Sequence, residues 1–350
     1  MEQLKTWKGE HVVIRFDEAT GAWIIIAIHS TRLGPAGGGT RMKTYPSFDF
    51  ALQDALNLAR AMTLKFAVTE HTFGGGKAVI ALPQNFDARE RADLLRRYGA
   101  LVHQLAGMFY TGPDVGTASS DMDVIAETGA PYVFGRTPGA GGAGDSGPIT
   151  ALGVFAGIQV ACEQLFGAPD LRGRRVLVQG AGSVGGTLLR QLRAAGTVAL
   201  FSDVDARAIQ HFRDELGIEF VAPEKVYETA CDIFSPCALG GILNRDTIAR
   251  LNCRAIVGGA NNQLAELQDA ERLRARGILY APDYVVNIGG AMGITGIEAL
   301  HWSRADAEQR VRDTVQRVLR RVFEIAANEK ITTENAARHI AAERLEHQSR

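Results

Sequence analysis

Cysteine is scarce in this chain and poorly spaced for metal or disulfide chemistry. Its 350 residues include 4 cysteines, Cys162, Cys231, Cys237 and Cys253, and no CxxC pair. Three of them sit in apolar, strand-like surroundings, so they read as buried, reduced thiols, and no metal is expected. No apolar run approaches the ~20 residues of a membrane span, and the opening MEQLKTWKGEHVV lacks the basic-then-apolar layout of a secretory signal. The expectation is a cytoplasmic protein with no membrane partner. An excess of one charge is also missing, since 38 Lys and Arg face 39 Asp and Glu for a net charge of -1. Nucleic acid is therefore not an expected partner, and the basic stretches RLRAR and VRDTVQRVLRRV read as solvated helix faces. Internal repeats and low-complexity tracts are absent.

What is present is a chain with 46% hydrophobic residues, enough for a large core divided between two domains. Two β-rich runs flank DEATG and signal a hairpin, with Gly21 near the turn. A helix follows over residues 46–64, with Ser47 as its expected cap, then a strand after TFGGGK. A second amphipathic helix, the short strand MFYT and the helix SSDMDVIAETG continue the α/β alternation. The glycine-rich segment 134–149, FGRTPGAGGAGDSGPI, reads as a flexible connection between domains. Beyond it, strands RVLVQG, VALFSD, EFVA, DIFSPC, AIVGGA and ILYAPDYVV alternate with helices at 151–166, 183–196, 205–216 and 266–276, the pattern of a doubly wound sheet. Long helices at about 304–328 and 332–348 close the chain, with Ser303 and Thr332 or Thr333 as candidate caps.

The predicted fold is α/β, with an N-terminal α/β substrate domain over residues 1–135, a Rossmann dinucleotide-binding domain over 136–329 and a deep cleft between them. The final helix, 330–350, is expected to return to the first domain.

VLVQGAGSVGG places Gly180, Gly182 and Gly185 in GxGxxG spacing between a strand and a helix. The first glycine permits a tight turn, the second lets backbone amides approach a pyrophosphate, and the third lets helix and strand pack closely. The next strand ends at Asp203, whose carboxylate can accept from a ribose and would repel a 2'-phosphate, so NAD is favoured over NADP.

Lys65 and Lys77 in MTLKFAVTEHTFGGGKAVI, with Asp114 in TGPDVGT, suit an amino acid substrate. One cation would meet its carboxylate, one amine would transfer protons, and one acid would partner them. Gly74, Gly75 and Gly76 leave room for substrate and cofactor to press against Lys77. Desolvation and the like charge of Lys65 are expected to favour the neutral amine of Lys77 as a general base.

The stretches GPAGGGTRM, MTLK, GGGKAVI, DVGT, DMDVIAETG, CDIFSPCALGGILN, ANNQL and APDYVVNIGG, in this order, resemble the leucine, phenylalanine, valine and glutamate dehydrogenase family, nearest its leucine and phenylalanine branch. The resemblance implies reversible oxidative deamination of an L-amino acid to a 2-oxo acid and ammonia with NAD, in a homo-oligomer whose interdomain cleft closes on substrate. It implies that Lys65 holds the substrate carboxylate, Lys77 activates water, and Asp114 shuttles protons at the amino nitrogen. Asn262 and Asn287 would orient substrate and nicotinamide, and Thr150 would touch the cofactor. Ser183, Val184, Ala238 and Asn261 complete the expected cofactor contacts, and Gly38 and Ile294 join the expected substrate wall.

Substrate choice is expected to follow that wall. Glutamate-type members carry a lysine at Gly37, so an acidic substrate would be unpaired here. Leucine-type members carry Leu at Gly37 and Ala at Gly112, and Ala291 and Gly293 fall where Val and Asn are usual. The pocket therefore reads as enlarged, favouring phenylalanine or another aromatic amino acid over leucine or valine, unless Met42, Phe66 or Met292 refill the gap. A branched-chain amino acid dehydrogenase is the alternative substrate reading. A non-catalytic NAD-binding regulator and a hydroxy-acid dehydrogenase are the other classes. The latter would need a His or Arg constellation, whereas His71 reads as a loop or packing residue.

Overall fold

The computed structural model describes residues 2–347. The chain forms two compact units, one of Met1–Asp145, Ile294–Ser303 and Ala341–Arg350, the other of Ser146–Gly293 and Arg304–Ile340.

The first unit contains α1 (Glu2–Trp7), β1 (His11–Asp17), β2 (Ala22–Ser30), β3 (Ala36–Thr44), α2 (Phe48–Val68), β4 (Gly74–Leu82), α3 (Arg91–Gln104), β5 (Phe109–Pro113) and α4 (Ser119–Gly129). Its five-stranded sheet runs in the order β1-β2-β4-β3-β5. The expected hairpin is present, with β1 and β2 antiparallel and Gly21 at φ 72. β2 and β4 are also antiparallel, whereas β3 pairs parallel with both β4 and β5. Strand β3 escaped the sequence reading because its AGGGTRMKT begins in three glycines, which lack the β-branched signature of a strand.

Side-chain alternation sends this sheet into two cores. Ile24, Ile26, Ala78 and Ile80 pack with Leu94, Tyr98 and Ile125 of α3 and α4. Ile25, Ala27, Val79 and Ala81 pack with Ala51, Leu52, Ala55 and Leu56 of α2. On the first face, the fully buried Tyr98 hydroxyl shares hydrogen bonds of 2.7 and 2.8 Å with Thr40 and Thr111, tying α3 to β3 and β5. Ser47 precedes α2 in extended conformation but makes no side-chain capping bond, contrary to expectation.

The second unit contains α5 (Gly147–Phe166), β6 (Arg175–Gln179), α6 (Ser183–Ala194), β7 (Val198–Ser202), α7 (Ala206–Ile209), β8 (Glu219–Phe220), β9 (Ile233–Pro236), α8 (Arg245–Arg250), β10 (Ala255–Ile256), α9 (Gln268–Ala275), β11 (Leu279–Tyr280) and α10 (Asp283–Val286). α11 (Gly289–Glu298) continues into the first unit from Ile294, α12 (Arg304–Glu329) lies in the second, and α13 (Thr333–His347) passes to the first at Ala341. The six strands are all parallel in the order β11-β10-β9-β6-β7-β8, the doubly wound arrangement expected, with β6 and β9 adjacent where the strand order reverses. α5 has the length and apolarity of a membrane span, unlike the sequence reading, but 61% of that window is buried within the protein.

Several elements depart from expectation for local reasons. DYVV forms the short helix α10 rather than extending β11, starting immediately after Pro282. The expected helix over 205–216 is a single α turn followed by a π-helical segment, Gln210–Glu215. α11 was unforeseen because GGAMGITGIE carries four glycines, weak helix formers. Thr332 caps α13 by accepting from Asn335 N at 3.1 Å. The glycine-rich segment is tied down rather than flexible, and the unit boundary falls after Asp145 instead of near residue 135. Gly135 N and Ala143 N donate to one oxygen of the buried Glu298 at 2.9 and 2.7 Å, and Thr137 donates twice to Asp123. Of the final helix, only the part from Ala341 onward belongs to the first unit, where Arg344 donates to the carbonyls of Phe66, Ala67 and His71.

The contact of α2 with β4 is close enough to test. A Cβ at Gly75 would lie 2.1 Å from Thr63 N and Oγ1, whereas one at Gly139 would meet nothing within 4 Å. Gly75→Ala is expected to lower stability by about 3 kcal/mol or prevent folding, and Gly139→Ala to leave it nearly unchanged. Thermal unfolding that finds the two variants equally stable would contradict this packing.

Candidate active site

Lys77 occupies the middle of β4, on the face that carries Val79 and Ala81 toward α2. Its neighbours before it, Gly74 to Gly76, are required by crowding. A Cβ at Gly75 would strike the backbone of Thr63, and one at Gly76 would strike the Phe109 ring at 2.8 Å. Lys65 lies two residues beyond Thr63 in the last turn of α2 and is half-buried, so it belongs to the helix segment that covers the glycine strand. β3 lies beside β4 with Gly37 opposite Gly75, and a Cβ at Gly38 would sit 1.8 Å from Gly76 O. The glycines therefore let two backbones and a helix converge around one lysine.

Asp114 follows β5 immediately and faces that lysine. Lys77 Nζ stands 3.1 Å from Asp114 Oδ1, with side-chain exposures of 7% and 13%. The second oxygen is not free, because Arg41 Nε on β3 donates to Oδ2 at 2.8 Å. Arg41 Nη1 reaches both oxygens of Asp54 on α2, at 3.3 and 3.1 Å, and the Tyr45 hydroxyl donates to Asp54 Oδ2 at 2.6 Å. The Asp114 main chain is fixed as well, its N–H donating to Thr117 Oγ1 while Thr117 bonds Thr40 O.

Burial would raise the Asp114 pKa, but Lys77 and Arg41 outweigh it and hold the carboxyl down at about 2. The sequence reading set Asp114 in one cleft with Lys65 and Lys77, and the structure pairs it directly with Lys77. A carboxylate forms the direct ion pair. Arg41, Asp54 and Tyr45 were missed altogether, and only the strand register of β3, hidden by its glycines, could have signalled Arg41.

The expected wall residues divide between the units. Gly37, Gly38, Gly112 and Ile294 lie in the first, whereas Asn262, Asn287 and Ala291 lie in the second. The space at Gly37 is bordered by aromatic rings, since a Cβ there would lie 3.1 Å from Phe73 Cδ1 and 3.4 Å from Phe66 Cε2. At Gly112 the nearest atom to an added Cβ is Phe134 O at 3.6 Å. Phe73 packs edge-on to Tyr110 and Phe134, with centroids at 5.6 and 6.0 Å. His71 is buried beside Phe66, its Nε2 is 2.8 Å from Thr295 Oγ1, and burial pushes its pKa down to about 4, so it is a neutral packing residue.

In the second unit, Gly180 to Gly185 follow β6, Asp203 follows β7, Ala238 lies just after β9, Asn261 lies beyond β10 and Thr150 is on α5. Gly180 has φ +93, and a Cβ there would meet Ala238 Cβ at 2.7 Å. Gly182 opens on space with no atom within 4 Å of a Cβ, directly before Ser183 and Val184 at the N-terminus of α6. Gly185 packs the helix onto the turn, where a Cβ would lie 1.8 Å from Gly180 O. The Asp203 carboxylate is oriented by Ala181 N at 2.6 Å, Val204 N at 2.7 Å and Asp205 N at 2.8 Å. Asn287, buried, donates to Asn261 Oδ1 at 2.8 Å and Gly259 O at 3.2 Å, while Asn262 adopts φ 53 and is exposed. Thr150 on α5 donates to Ser146 O at 2.8 Å, and a Cβ at Gly290 would lie 2.7 Å from its hydroxyl. An open glycine turn at a helix N-terminus, at the switch point of a parallel sheet and followed by a preoriented carboxylate, fits a dinucleotide.

A doubly wound dinucleotide unit joined to a unit carrying a buried lysine and carboxylate defines a dehydrogenase. Residues 12–130 match the Glu/Leu/Phe/Val dehydrogenase dimerisation domain, and residues 202–350 match the Glutamate/Leucine/Phenylalanine/Valine dehydrogenase domain. The chain is 41% identical over 345 residues to leucine dehydrogenase of Thermoactinomyces intermedius, spanning 99% of this chain and 93% of that protein. It is 39% identical over 347 residues to phenylalanine dehydrogenase of the same organism, spanning 98% and 93%. The crystal structure of L-tryptophan dehydrogenase from Nostoc punctiforme superposes with a TM-score of 0.83 at 38% identity, covering 99% of each chain. The chain belongs to the Glu/Leu/Phe/Val dehydrogenase family and is an amino acid dehydrogenase, an oxidoreductase.

The depressed Asp114 pKa fixes the pH range over which its ion pairs stabilise the fold. A carboxylate held below its unfolded value contributes stability above about pH 4 and loses it as pH falls toward 2. Asp114→Asn is expected to cost about 2 to 4 kcal/mol, a deficit constant from pH 7 to about 4 and shrinking only below that. Denaturant unfolding in which the deficit already fades between pH 7 and 5 would show that Asp114 is not held ionised.

Proposed function

We propose that the protein catalyses NAD-dependent, reversible oxidative deamination of a hydrophobic L-amino acid to its 2-oxo acid and ammonia, with aromatic side chains favoured over leucine and valine. The observation that carries this reading is the buried contact of 3.1 Å between Lys77 and Asp114, behind a strand of glycines. A bound nicotinamide supplies the hydride acceptor for the substrate Cα–H. Everything else falls to the chain's own side chains.

Lys65 holds the substrate carboxylate. Asp114 takes the proton from the substrate ammonium, so that its nitrogen lone pair assists departure of the hydride and leaves an iminium. Lys77, as the neutral amine, then removes one proton from the water that attacks the iminium carbon; Asp114 returns a proton to the nitrogen and accepts the remaining hydroxyl proton as the carbonyl forms and ammonia leaves. The two groups are neighbours, so protons moved between nitrogen and water need not cross bulk solvent. Asn262 and Asn287 orient substrate and nicotinamide. Thr150, Gly180, Gly182, Ser183, Val184, Gly185, Ala238 and Asn261 contact the dinucleotide. The Asp203 carboxylate accepts from the adenosine ribose and disfavours a 2'-phosphate, which supports NAD over NADP.

The apolar rings beside Gly37 support a hydrophobic substrate. A carboxylate side chain placed against Phe66 and Phe73 would be desolvated without a partner. Ring-to-ring contacts add about 0.5–1.5 kcal/mol beyond area burial, which favours an aromatic substrate. The same rings border the space expected at Gly37, so leucine remains the competing substrate. Homo-oligomerisation is supported by the edge strand β1, where Ile14 and Phe16 are 42% and 46% exposed beside Trp23, and by the name of the matching dimerisation domain. The proposed location is the cytoplasm.

The purified protein is expected to reduce NAD, and NADP far more slowly, with L-phenylalanine, tryptophan or tyrosine faster than with leucine, isoleucine, valine or methionine. Lys77→Ala is expected to lose at least about 10²-fold in turnover with NAD binding preserved. NADH absorbance that stays flat across this panel at alkaline pH would refute the activity, and a ranking led by leucine would reverse the aromatic assignment.

A further inference from the structure

We propose that Arg41 is a positioning residue for the deamination, fixing the orientation and charge of Asp114, and that Asp54 and Tyr45 in turn fix Arg41. This rests on the proton-transfer role proposed for Asp114.

The geometry is that of one guanidinium serving two carboxylates. Nε takes Asp114 Oδ2 at 2.8 Å, and Nη1 takes Asp54 at 3.1 and 3.3 Å. The planar fork of arginine suits such a bridge, whereas an ammonium is a point charge that would favour one partner. Lys77 holds the opposite oxygen of Asp114 at 3.1 Å. Each carboxylate oxygen thus has its own cation, and rotation about the Cβ–Cγ bond would break both contacts. The three linked groups are 15%, 13% and 25% exposed for Arg41, Asp114 and Asp54, so water screens them little.

The charges facing Asp114 come from Lys77 on β4 and Arg41 on β3, with Asp54 on α2 and Tyr45 behind Arg41. Arginine does not release its proton, so its charge persists while Lys77 and Asp114 exchange theirs. Without it, Asp114 Oδ2 and both oxygens of Asp54 would lose their guanidinium partner. Tyr45 completes the chain, donating to Asp54 at 2.6 Å. No residue of this second layer is assigned to substrate or cofactor.

The test uses full-length Arg41→Gln and Arg41→Lys in steady-state deamination. Arg41→Gln is expected to lower kcat about 10- to 100-fold, part of the ~10²–10⁴-fold that a positioned acid or base supplies, while the amino acid KM changes less than about threefold. Guanidinium at millimolar concentration is expected to restore the rate saturably, and Arg41→Lys to retain an intermediate rate. An unchanged kcat in Arg41→Gln would overturn the proposal, as would a loss that guanidinium and lysine both fail to repair. Asp54→Asn provides the second variant should Arg41→Gln not fold: a severalfold drop in kcat with unfolding temperature preserved supports the proposal, and an unchanged kcat overturns it. Wild-type protein inactive on every amino acid would instead remove the underlying reading of the site.

Discussion

A buried carboxylate held between two cations is the constraint on which the first unit is organised. Burial of Asp114 pushes its proton affinity up, and Lys77 and Arg41, one on each oxygen, bring it down. Such an arrangement requires three backbones to converge. β4 brings the lysine, β3 the arginine, and the end of β5 the aspartate, with β3 hydrogen-bonded to both neighbours. The glycines of β3 and β4 are a consequence. Added methyl groups at Gly38, Gly39, Gly75 and Gly76 would each collide with a neighbouring segment, so the positions that crowd the charges can carry no side chain. Beneath the sheet, the hydroxyls of Tyr98, Thr40 and Thr111 bind one another and hold the same strands from the opposite face.

The second unit solves a different electrostatic problem with backbone rather than side chains. A left-handed glycine ends β6, a helix begins directly after it, and the acid at the end of β7 is oriented by three amides. Dipoles and N–H groups suit a diphosphate, and a preoriented carboxylate suits a ribose. The first unit, with its lysines and carboxylates, is suited to a zwitterion and to proton movement. This division of labour is what an amino acid dehydrogenase requires of two units.

The sequence conveyed the second unit more fully than the first. GxGxxG between an apolar strand and a helix, with an acid at the next strand end, is a local signal, and the six parallel strands of this unit lay in the stretches expected. Lys77 and Asp114 were legible because the residues flanking them are themselves distinctive. Arg41 was not, since its partners lie 73 and 13 residues away and become neighbours only through the register of β3, whose glycines conceal that it is a strand. The same blindness hid α11, and it hid the hydrogen bonds that fasten the segment near Gly135, which does run across the boundary between the units. Its anchors are the distant carboxylates of Glu298 and Asp123, which no local pattern reveals. The expected enlargement at Gly37 met a similar limit, because the rings of Phe66 and Phe73 approach from α2 and the loop that follows it.

The central claim is that the Lys77 amine itself moves the proton of the attacking water. Its most direct test is to supply small primary amines to the Lys77→Ala protein and follow NADH formation with a good amino acid substrate. The account expects saturable recovery of turnover, with rates that vary systematically with the basicity of amines of similar size. Recovery by none of them, or a variant that turns over at nearly the wild-type rate without them, would contradict it.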